Sequence, residues 1–469
     1  MAYKHGATAT LTASADVAVD NLVQFAPIYI GTAPLNQKAL AEAALLLNVP
    51  TIVENLYDFT SKFGWSDDWA SFTLCEAAYA HFQNPFGAVG PIVVICVSDS
   101  SVSTSQNVST AITAGIGVVV DTFAILASVT ITGKILGTDF TATYNAEGTE
   151  MIITAITTLE NPSTVVYDKM TAAVAADITG GNAALDYVYQ YTQLIPSLVA
   201  APTWSQTKTV RDALVAKVEL ISGHYKVAVY TDVLKTTETA AAAITWKVTN
   251  GYSSIYEKVF YPQISYDGRI YNLSTLAAVA KCQTDYSSGN IPYVSPSNKP
   301  IAVDKLIANS IDFLLSETTA NLLNASGITT AVFIGGGFKT WGPHNSNYSY
   351  TNEDNIDLAD RLDSSIAMKF YITNYFQANF AQYVDTPISS RDGNRVTTEA
   401  QQWLNSLVSL GALVGGQIAF LPTVNPVGQL ANGDFVFNVT FGNTPNAKSI
   451  EFIITPDPNF LTDLIGGAE

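Results

Sequence analysis

The sequence has few charged residues for a chain of its length. Only 13% of its 469 residues are Asp, Glu, Lys or Arg, whereas 48% are hydrophobic. A large monomer needs charge on a solvated surface, so sparse charge indicates a surface that partners cover. Basic residues are the scarcer kind, 22 against 40 acidic ones, and the net charge of −18 excludes the basic footprint of a nucleic-acid binder.

Cysteines and membrane-spanning runs are also lacking. Cys75, Cys96 and Cys282 are odd in number and far apart, with no CxxC spacing, which favours reduced core thiols over a disulfide or metal framework. The N-terminus has no apolar signal-peptide core, so synthesis without secretion is expected. The stretch 407–424 is charge-free, but its glycines and Pro422 predict buried turn-and-strand structure instead of a membrane span.

Catalytic residues are sparse as well. The four histidines, His5, His81, His224 and His344, each stand alone in their local motif. Hydrolase chemistry needs a nucleophile, a histidine and an acid held together, and no Gly-x-Ser-x-Gly elbow is present. Structural roles are predicted for all four histidines. The chain is predicted not to be an enzyme, with no catalytic residue, no cofactor and no metal ligand.

Three consecutive glycines could suggest a phosphate-binding loop. Gly335, Gly336 and Gly337 follow a predicted strand, but Pro343 soon afterwards is incompatible with the immediate helix that such a loop needs. A tight turn that lets backbones approach is predicted instead.

A cluster of acids could suggest a metal site, and its members are Glu353, Asp354, Asp357, Asp360 and Asp363. Their spacing predicts a stripe along the start of one helix, where acids complement the helix dipole and Arg361 offers partial neutralisation. Three interpretations stand: a solvated face, a protein-contact face and, least favoured, a metal site.

The order of strand and helix patterns predicts four parts of the chain. They are an extended N-terminal arm at 1–24, a discontinuous α/β core domain at 25–100 and 185–350, an inserted β-sandwich domain at 101–184, and an α+β C-terminal domain with a C-terminal arm at 351–469.

Within these parts, apolar periodicity and turn residues predict the individual elements. Core strands are predicted at 26–34, 91–98, 198–201, 225–230 and 331–335, and core helices at 35–48, 69–83, 205–220 and 274–285. Ser205 is the expected N-cap of its helix, and 98–110 is interpreted as a Ser/Thr-rich linker. The C-terminal domain is predicted to open with a helix over 354–385 and to close with paired strands at 435–441 and 449–454.

Several motifs, taken in order, resemble the sheath proteins of contractile phage tails and related tailocins. They are 26–34, with its strand and turn, 137–148, with its inserted strands, and 194–205, with its strand-to-helix junction. Further matches are Lys217, 225–229, Asp232, 296–299, 339–342 and 355–375. The resemblance runs with gaps over nearly the whole chain and is loosest in the charge-free stretch 399–434.

The resemblance implies a multidomain α/β fold. Its core would be of the type called subtilisin-like in this family, without a catalytic triad, and it would carry the inserted β-sandwich and extended terminal arms. It also implies a structural subunit of stacked hexameric rings around an inner tube protein, with baseplate and tail terminator proteins as further partners and neither nucleic acid nor membrane insertion. Such a sheath belongs to the virion tail, is assembled in the host cytoplasm, and contracts to drive the tube through a target cell envelope.

Residues 7–23 and about 449–460 are expected to be the arms, or their receiving strands, through which neighbouring subunits are linked. Two other functions stay open: a non-contractile shell or surface-layer protein, and an α/β hydrolase.

Overall fold

The computed structural model describes residues 25–98 and 102–458. The predicted N-terminal arm at 7–23 lies outside the described residues, and so does the end of the predicted C-terminal arm, 459–460. In chain order the strands are β1 (Phe25–Gly31), β2 (Thr51–Val53), β3 (Ile92–Cys96), β4 (Val102–Thr110), β5 (Ile116–Val119), β6 (Thr130–Ile131), β7 (Phe140–Tyr144), β8 (Met151–Ala155), β9 (Ser163–Met170), β10 (Ile195–Ala200), β11 (Ala228–Asp232), β12 (Glu257–Phe260), β13 (Gln263–Tyr266), β14 (Arg269–Tyr271), β15 (Lys305–Ala308), β16 (Ile311–Phe313), β17 (Ile328–Ile334), β18 (Gly337–Trp341), β19 (Leu413–Ala419) and β20 (Asn438–Asn443).

The helices, again in chain order, are α1 (Leu40–Leu46), α2 (Leu56–Phe63), α3 (Thr73–Phe82), α4 (Ala175–Gly181), α5 (Val188–Thr192), α6 (Lys208–Val218), α7 (Ala240–Thr249), α8 (Leu273–Ser287), α9 (Glu317–Ala325), α10 (Asp363–Phe380), α11 (Ser390–Ser409) and α12 (Val427–Ala431).

The largest sheet has eight strands in the order β18-β17-β12-β11-β10-β1-β3-β2. The six inner strands are parallel, and the two edge strands β2 and β18 are antiparallel to their neighbours. Helices α3 and α8 pack on one face of this sheet, and α4 and α6 pack on the other. Strand β3, which is covered on both faces, is buried and apolar throughout. The predicted α/β layer with a partly parallel sheet is confirmed.

Two three-stranded sheets, β4-β9-β6 and β5-β8-β7, share a separate apolar cluster. The interpretation of 98–110 as a linker is wrong, because β4 pairs antiparallel with β9 over nearly its full length. Hydroxyl-rich composition suggested a linker, but its threonines and valines are β-branched and suit a paired strand.

The chain after residue 350 differs from its prediction in two places. The helix expected over 354–385 begins only at Asp363, because the Asp357 side chain accepts a hydrogen bond from the Ala359 N–H and closes a separate short turn. The strand pair expected between 435–441 and 449–454 is wrong, since β20 pairs antiparallel with β19 instead.

The N-cap predicted at Ser205 is also wrong. Helix α6 begins at Lys208, two residues beyond a short turn that contains Ser205. The Ser205 hydroxyl instead accepts a hydrogen bond from the Asp232 N–H at 3.2 Å. The Ser205 side chain, which the local sequence pattern predicted to cap a helix, thus forms a long-range hydrogen bond instead.

The N-terminus of α8 is held by two buried carboxylates. The Asn272 N–H donates to Glu76 Oε1 at 2.7 Å, and the Ser274 N–H donates to Asp232 Oδ1 at 3.0 Å. Burial raises the pKa of Glu76 to about 8 and the pKa of Asp232 to about 7, although these hydrogen bonds act in the opposite direction.

The raised pKa values of Glu76 and Asp232 make the free energy of unfolding depend on pH. Because folding raises both pKa values, the folded protein retains protons that the unfolded chain releases, so the contribution is complete below about pH 4 and is lost as the pH rises through 7 and 8. The slope is at most about 1.4 kcal/mol per pH unit for each group. Chemical denaturation between pH 5 and 9 should show that Glu76→Gln flattens this decline. The exposed control Glu317→Gln should keep the wild-type slope, and a wild-type slope in Glu76→Gln would contradict the assignment.

The turn between β7 and β8 packs tightly on the loop before α3. Gly148 has a φ of +64°, and a Cβ added there would lie 2.0 Å from the Trp65 carbonyl oxygen. The Ser66 hydroxyl donates to the Gly148 carbonyl at 3.0 Å, and the Asp67 N–H donates to the Glu147 carbonyl at 2.7 Å. The small sheets are therefore fixed to the main body at a backbone contact.

Replacing Gly148 separates this contact from ordinary backbone strain. Gly148→Ala should lower the free energy of unfolding by about 2–4 kcal/mol, because the methyl group collides with backbone atoms that have little room to move. The control Gly137→Ala, also at positive φ but with no atom within 4 Å, should cost about 1–2 kcal/mol. Equal losses in denaturant titrations would show that the close approach is not important.

Candidate assembly site

The described histidines have structural contacts. His81 is buried, with Nε2 2.7 Å from the Tyr29 hydroxyl and Nδ1 2.9 Å from the Val89 carbonyl, and burial lowers its pKa to about 4. His344 stacks on Tyr348 with ring centroids 3.5 Å apart, and burial likewise lowers its pKa to about 4. His224 lies exposed in a turn, and His5 is outside the described residues.

Of the three glycines at 335–337, Gly335 and Gly336 form the turn between β17 and β18, and Gly337 begins β18. Gly335 and Gly336 have φ values of +66° and +86°, and Ile334 pairs directly with Gly337. This is a two-residue hairpin turn of the kind that needs left-handed backbone at both positions. The predicted tight turn is confirmed.

The five acids at 353–363 do not lie along one helix, so the predicted stripe is wrong. Glu353 pairs with Arg361 at 3.2 Å and Asp360 pairs with Lys369 at 2.9 Å. Within the part of the chain that the structure describes, no group of three or more His, Cys, Asp or Glu side chains could hold a metal ion. The neutralisation expected from Arg361 is confirmed.

The fifth acid belongs to a buried ion pair. Lys258 Nζ lies 2.5 Å from Asp363 Oδ2 and donates to the Gly342 carbonyl at 2.9 Å, and the Ser295 hydroxyl donates to Asp363 at 3.0 Å. Burial lowers the pKa of Lys258, and the Asp363 carboxylate opposes this. The pair joins β12, inside the large sheet, to the first residue of α10. Its signal in the sequence was a pair of charges, at 257–258, inside an otherwise apolar strand.

Helix α10 has further contacts with the amino end of the large sheet. The Asn374 side-chain amide accepts from the Lys226 N–H at 2.9 Å and donates to the Lys226 carbonyl at 2.8 Å. Phe370 stacks on Tyr256, with ring centroids 5.0 Å apart and planes 2° from parallel. These contacts fix the helix in position as well as in direction.

Strands β19 and β20 form a two-stranded antiparallel sheet that packs on α11. Neither outer edge has a strand partner among residues 25–98 and 102–458. The stretch 407–424 thus contains turn and strand as predicted, but it is only partly buried: Leu413 is 2% exposed, whereas Val414 is 70% exposed. No helix in the described ranges is long and apolar enough to cross a membrane.

The segment after β20 leaves the body of the protein. Residues 449–458 form no strand in the structure and are all exposed. Phe452, Ile453 and Ile454 are 79%, 88% and 85% exposed. A row of exposed large apolar side chains on an unpaired backbone is typical of a surface that another chain covers.

An open polar groove lies where this segment begins. Its volume is about 580 Å³, and its lining includes Asn446, Ser449, Trp341 and Lys299. The segment therefore starts from a recess in the surface.

No protein-family model matches the sequence. The chain is 26% identical over 481 aligned residues to the tail sheath protein of Burkholderia phage BcepMu, and the match covers 93% of each protein. It is 25% identical to a putative prophage major tail sheath protein of Pseudomonas aeruginosa over 174 residues, which is 36% of this chain and 42% of that protein.

Two solved structures share the fold. One is a chain of the anti-feeding prophage baseplate, with a TM-score of 0.59 and 17% identity over 97% of this chain and 100% of that one. The other is a chain of the sheath complex of the PVC extracellular contractile injection system in its contracted state, with a TM-score of 0.59 and 13% identity over 98% and 99% of the two chains. The resemblance drawn from the motifs is confirmed: the chain is similar to a phage tail sheath protein over nearly all of its sequence, and its fold is similar to those of the two solved chains.

Proposed function

We propose that this protein is the structural subunit of a contractile sheath, which polymerises around an inner tube and contracts to drive that tube through a target cell envelope. The observation that carries the proposal is the exposed apolar segment 449–458, which follows a two-stranded sheet with no further strand partner among the described residues. Relationship to tail sheath proteins over 93% of the chain supports it.

The proposed link between subunits is strand addition. An extended segment that joins a sheet edge forms main-chain hydrogen bonds, which hold two subunits together while their bodies rotate. In this chain β20 offers an edge, whereas the Gln401 side chain already bonds to Gly416 and Ile418 of β19. The segment 449–458 and the N-terminal residues 7–23 supply strand-like sequences. Head-to-tail contacts of this kind generate open helical assemblies.

The proposed domain division follows the sequence. Residues 101–184 are the inserted β-sandwich, 25–100 and 185–350 are a core of the subtilisin-like sheath type, 351–469 are the C-terminal α+β domain with its arm, and 1–24 are the N-terminal arm. The sandwich is supported by a shared cluster that contains Val165 and Tyr167 of β9 together with Met151 and Ile153 of β8.

The proposed assembly consists of stacked hexameric rings. Its other partners are the inner tube protein, the baseplate and the tail terminator, and its place is the virion tail, assembled in the host cytoplasm. A structural role without catalysis is proposed, and it is supported by the structural contacts of His81 and His344.

Removing the proposed N-terminal arm tests the link from one side. A chain that lacks residues 1–20 should fold with unchanged melting temperature and fail to form tubes, because these residues precede the first strand of the large sheet. Circular dichroism measures the fold, and negative-stain microscopy counts the tubes. Normal tubes from the shortened chain would contradict a linking role for this arm.

Changing the exposed segment tests the link from the other side. Phe452→Ser with Ile454→Ser should leave the free energy of unfolding within about 0.5 kcal/mol of wild type, because both side chains are exposed. The same variant should reduce tube yield at least about tenfold, since losing two buried apolar side chains costs the interface about 1.5–3 kcal/mol each. The matched control is Leu314→Ser, whose side chain is 94% exposed elsewhere on the surface. Equal tube yields in the two variants would remove 449–458 from the interface.

A further inference from the structure

The two ends of the described chain meet the same helix. Phe25, the first residue of β1, lies with its ring 5.1 Å from that of Tyr371 in α10. At the other end, the Asn446 side chain is bound to Ser364 in the first turn of α10. The segments proposed to link neighbouring subunits therefore leave the body at points that share one rigid element.

The C-terminal segment is attached by side-chain amides. Asn446 Nδ2 lies 2.5 Å from the Ser364 hydroxyl oxygen and donates to the Tyr293 carbonyl at 3.2 Å. Asn443 Nδ2 donates to the Ser365 carbonyl at 3.3 Å. Beyond Lys448, whose Nζ lies 3.4 Å from the Tyr348 hydroxyl, every described residue is exposed. Asn446 thus makes part-buried contacts at a position between β20 and the exposed segment 449–458.

The surface that receives Asn446 is unusually well fixed for the start of a helix. Asp363, Ser364 and Ser365 are all buried. Asp363 is bound to Lys258 of β12, and Lys258 also donates to the Gly342 carbonyl. A carboxylate in the first turn complements the helix dipole, and its ammonium partner comes from a strand inside the eight-stranded sheet.

The position of Asn446 determines which part of the structure bears a force applied to the C-terminal segment. Strand β20 is held by one partner strand, and a strand pulled from its end is stripped one hydrogen bond at a time. Asn446 lies between β20 and the exposed segment 449–458, so tension on that segment reaches β20 only after the bonds of Asn446 have broken. Until then the tension passes through α10 and Lys258 into the large sheet.

We propose that Asn446, with the first turn of α10 and the Lys258–Asp363 pair beneath it, is the tension anchor of the C-terminal segment. It protects the two-stranded sheet from being stripped when neighbours pull on that segment. The inference rests on the proposed function, because only a segment that links subunits carries tension.

Force spectroscopy on single full-length chains tests this anchor. One handle is attached at the C-terminus and the other through Phe86→Cys, at a side chain that is 52% exposed on the main body. In wild type, the first extension should be the abrupt release of residues 438–446, about 3 nm of chain at about 3.6 Å per residue. In Asn446→Ala, and in Ser364→Ala, which removes the acceptor instead, this extension should occur at about half the force or less.

The ion pair beneath the anchor is tested in the same way. Lys258→Met with Asp363→Leu replaces it by apolar side chains of similar size, which keeps the core filled. The release force should fall, since the first turn of α10 loses its connection to β12. The control Asn379→Ala, which removes a hydrogen bond within α10 to the Tyr375 carbonyl, should keep the wild-type force.

The outcomes separate the anchor from the proposed function. A wild-type release force in both Asn446→Ala and Ser364→Ala would overturn the anchor and leave the sheath function unaffected. A wild-type chain that never forms tubes would contradict the sheath function, whatever the release force. Lower force in the anchor variants, with the melting temperature of the large sheet unchanged, supports the anchor.

Discussion

The ammonium group of Lys258 lies inside the protein. The groups that bind it there fix the position of helix α10 and of the elements that pack on that helix. Burying an isolated charge costs several kcal/mol, so it persists only with an opposite charge and further hydrogen bonds around it. Asp363, the Gly342 carbonyl and Ser295 supply them. Because Asp363 opens α10, the pair fixes that helix on the large sheet. The helix in turn shares an apolar cluster with α11 and the start of β19.

The low charge of the sequence corresponds to the apolar surface that this arrangement leaves exposed. The interior is closed around the eight-stranded sheet, whereas Val414 and the apolar row at 452–454 face outwards. A monomer gains nothing from such a surface, and in water it favours association. Such a surface is expected on a part of a larger lattice, and the form of the proposed lattice follows from the similarity to a phage tail sheath protein.

The sequence predicted those features that depend on local pattern. The strands that became β1, β3 and β10 are apolar runs bounded by turns, and the glycines before β18 need left-handed backbone, so both were recognisable. The predictions that were wrong involve competition over distance. The Ser205 hydroxyl suits a cap but bonds to Asp232, and the threonines of β4 suit a linker but pair with β9. Asp357 caps the start of a separate short turn where periodicity favoured a continuous helix. The buried Lys258–Asp363 pair joins residues more than a hundred positions apart, which no local pattern reveals.

The central claim is that this chain completes its surface by joining copies of itself in an open helical array. Negative-stain electron microscopy of the purified wild-type protein, over a range of concentrations, tests it most directly. The account predicts hollow, transversely striated tubes whose number rises with protein concentration. Particles that stay single at every concentration, or that close into compact shells of fixed size, would contradict it.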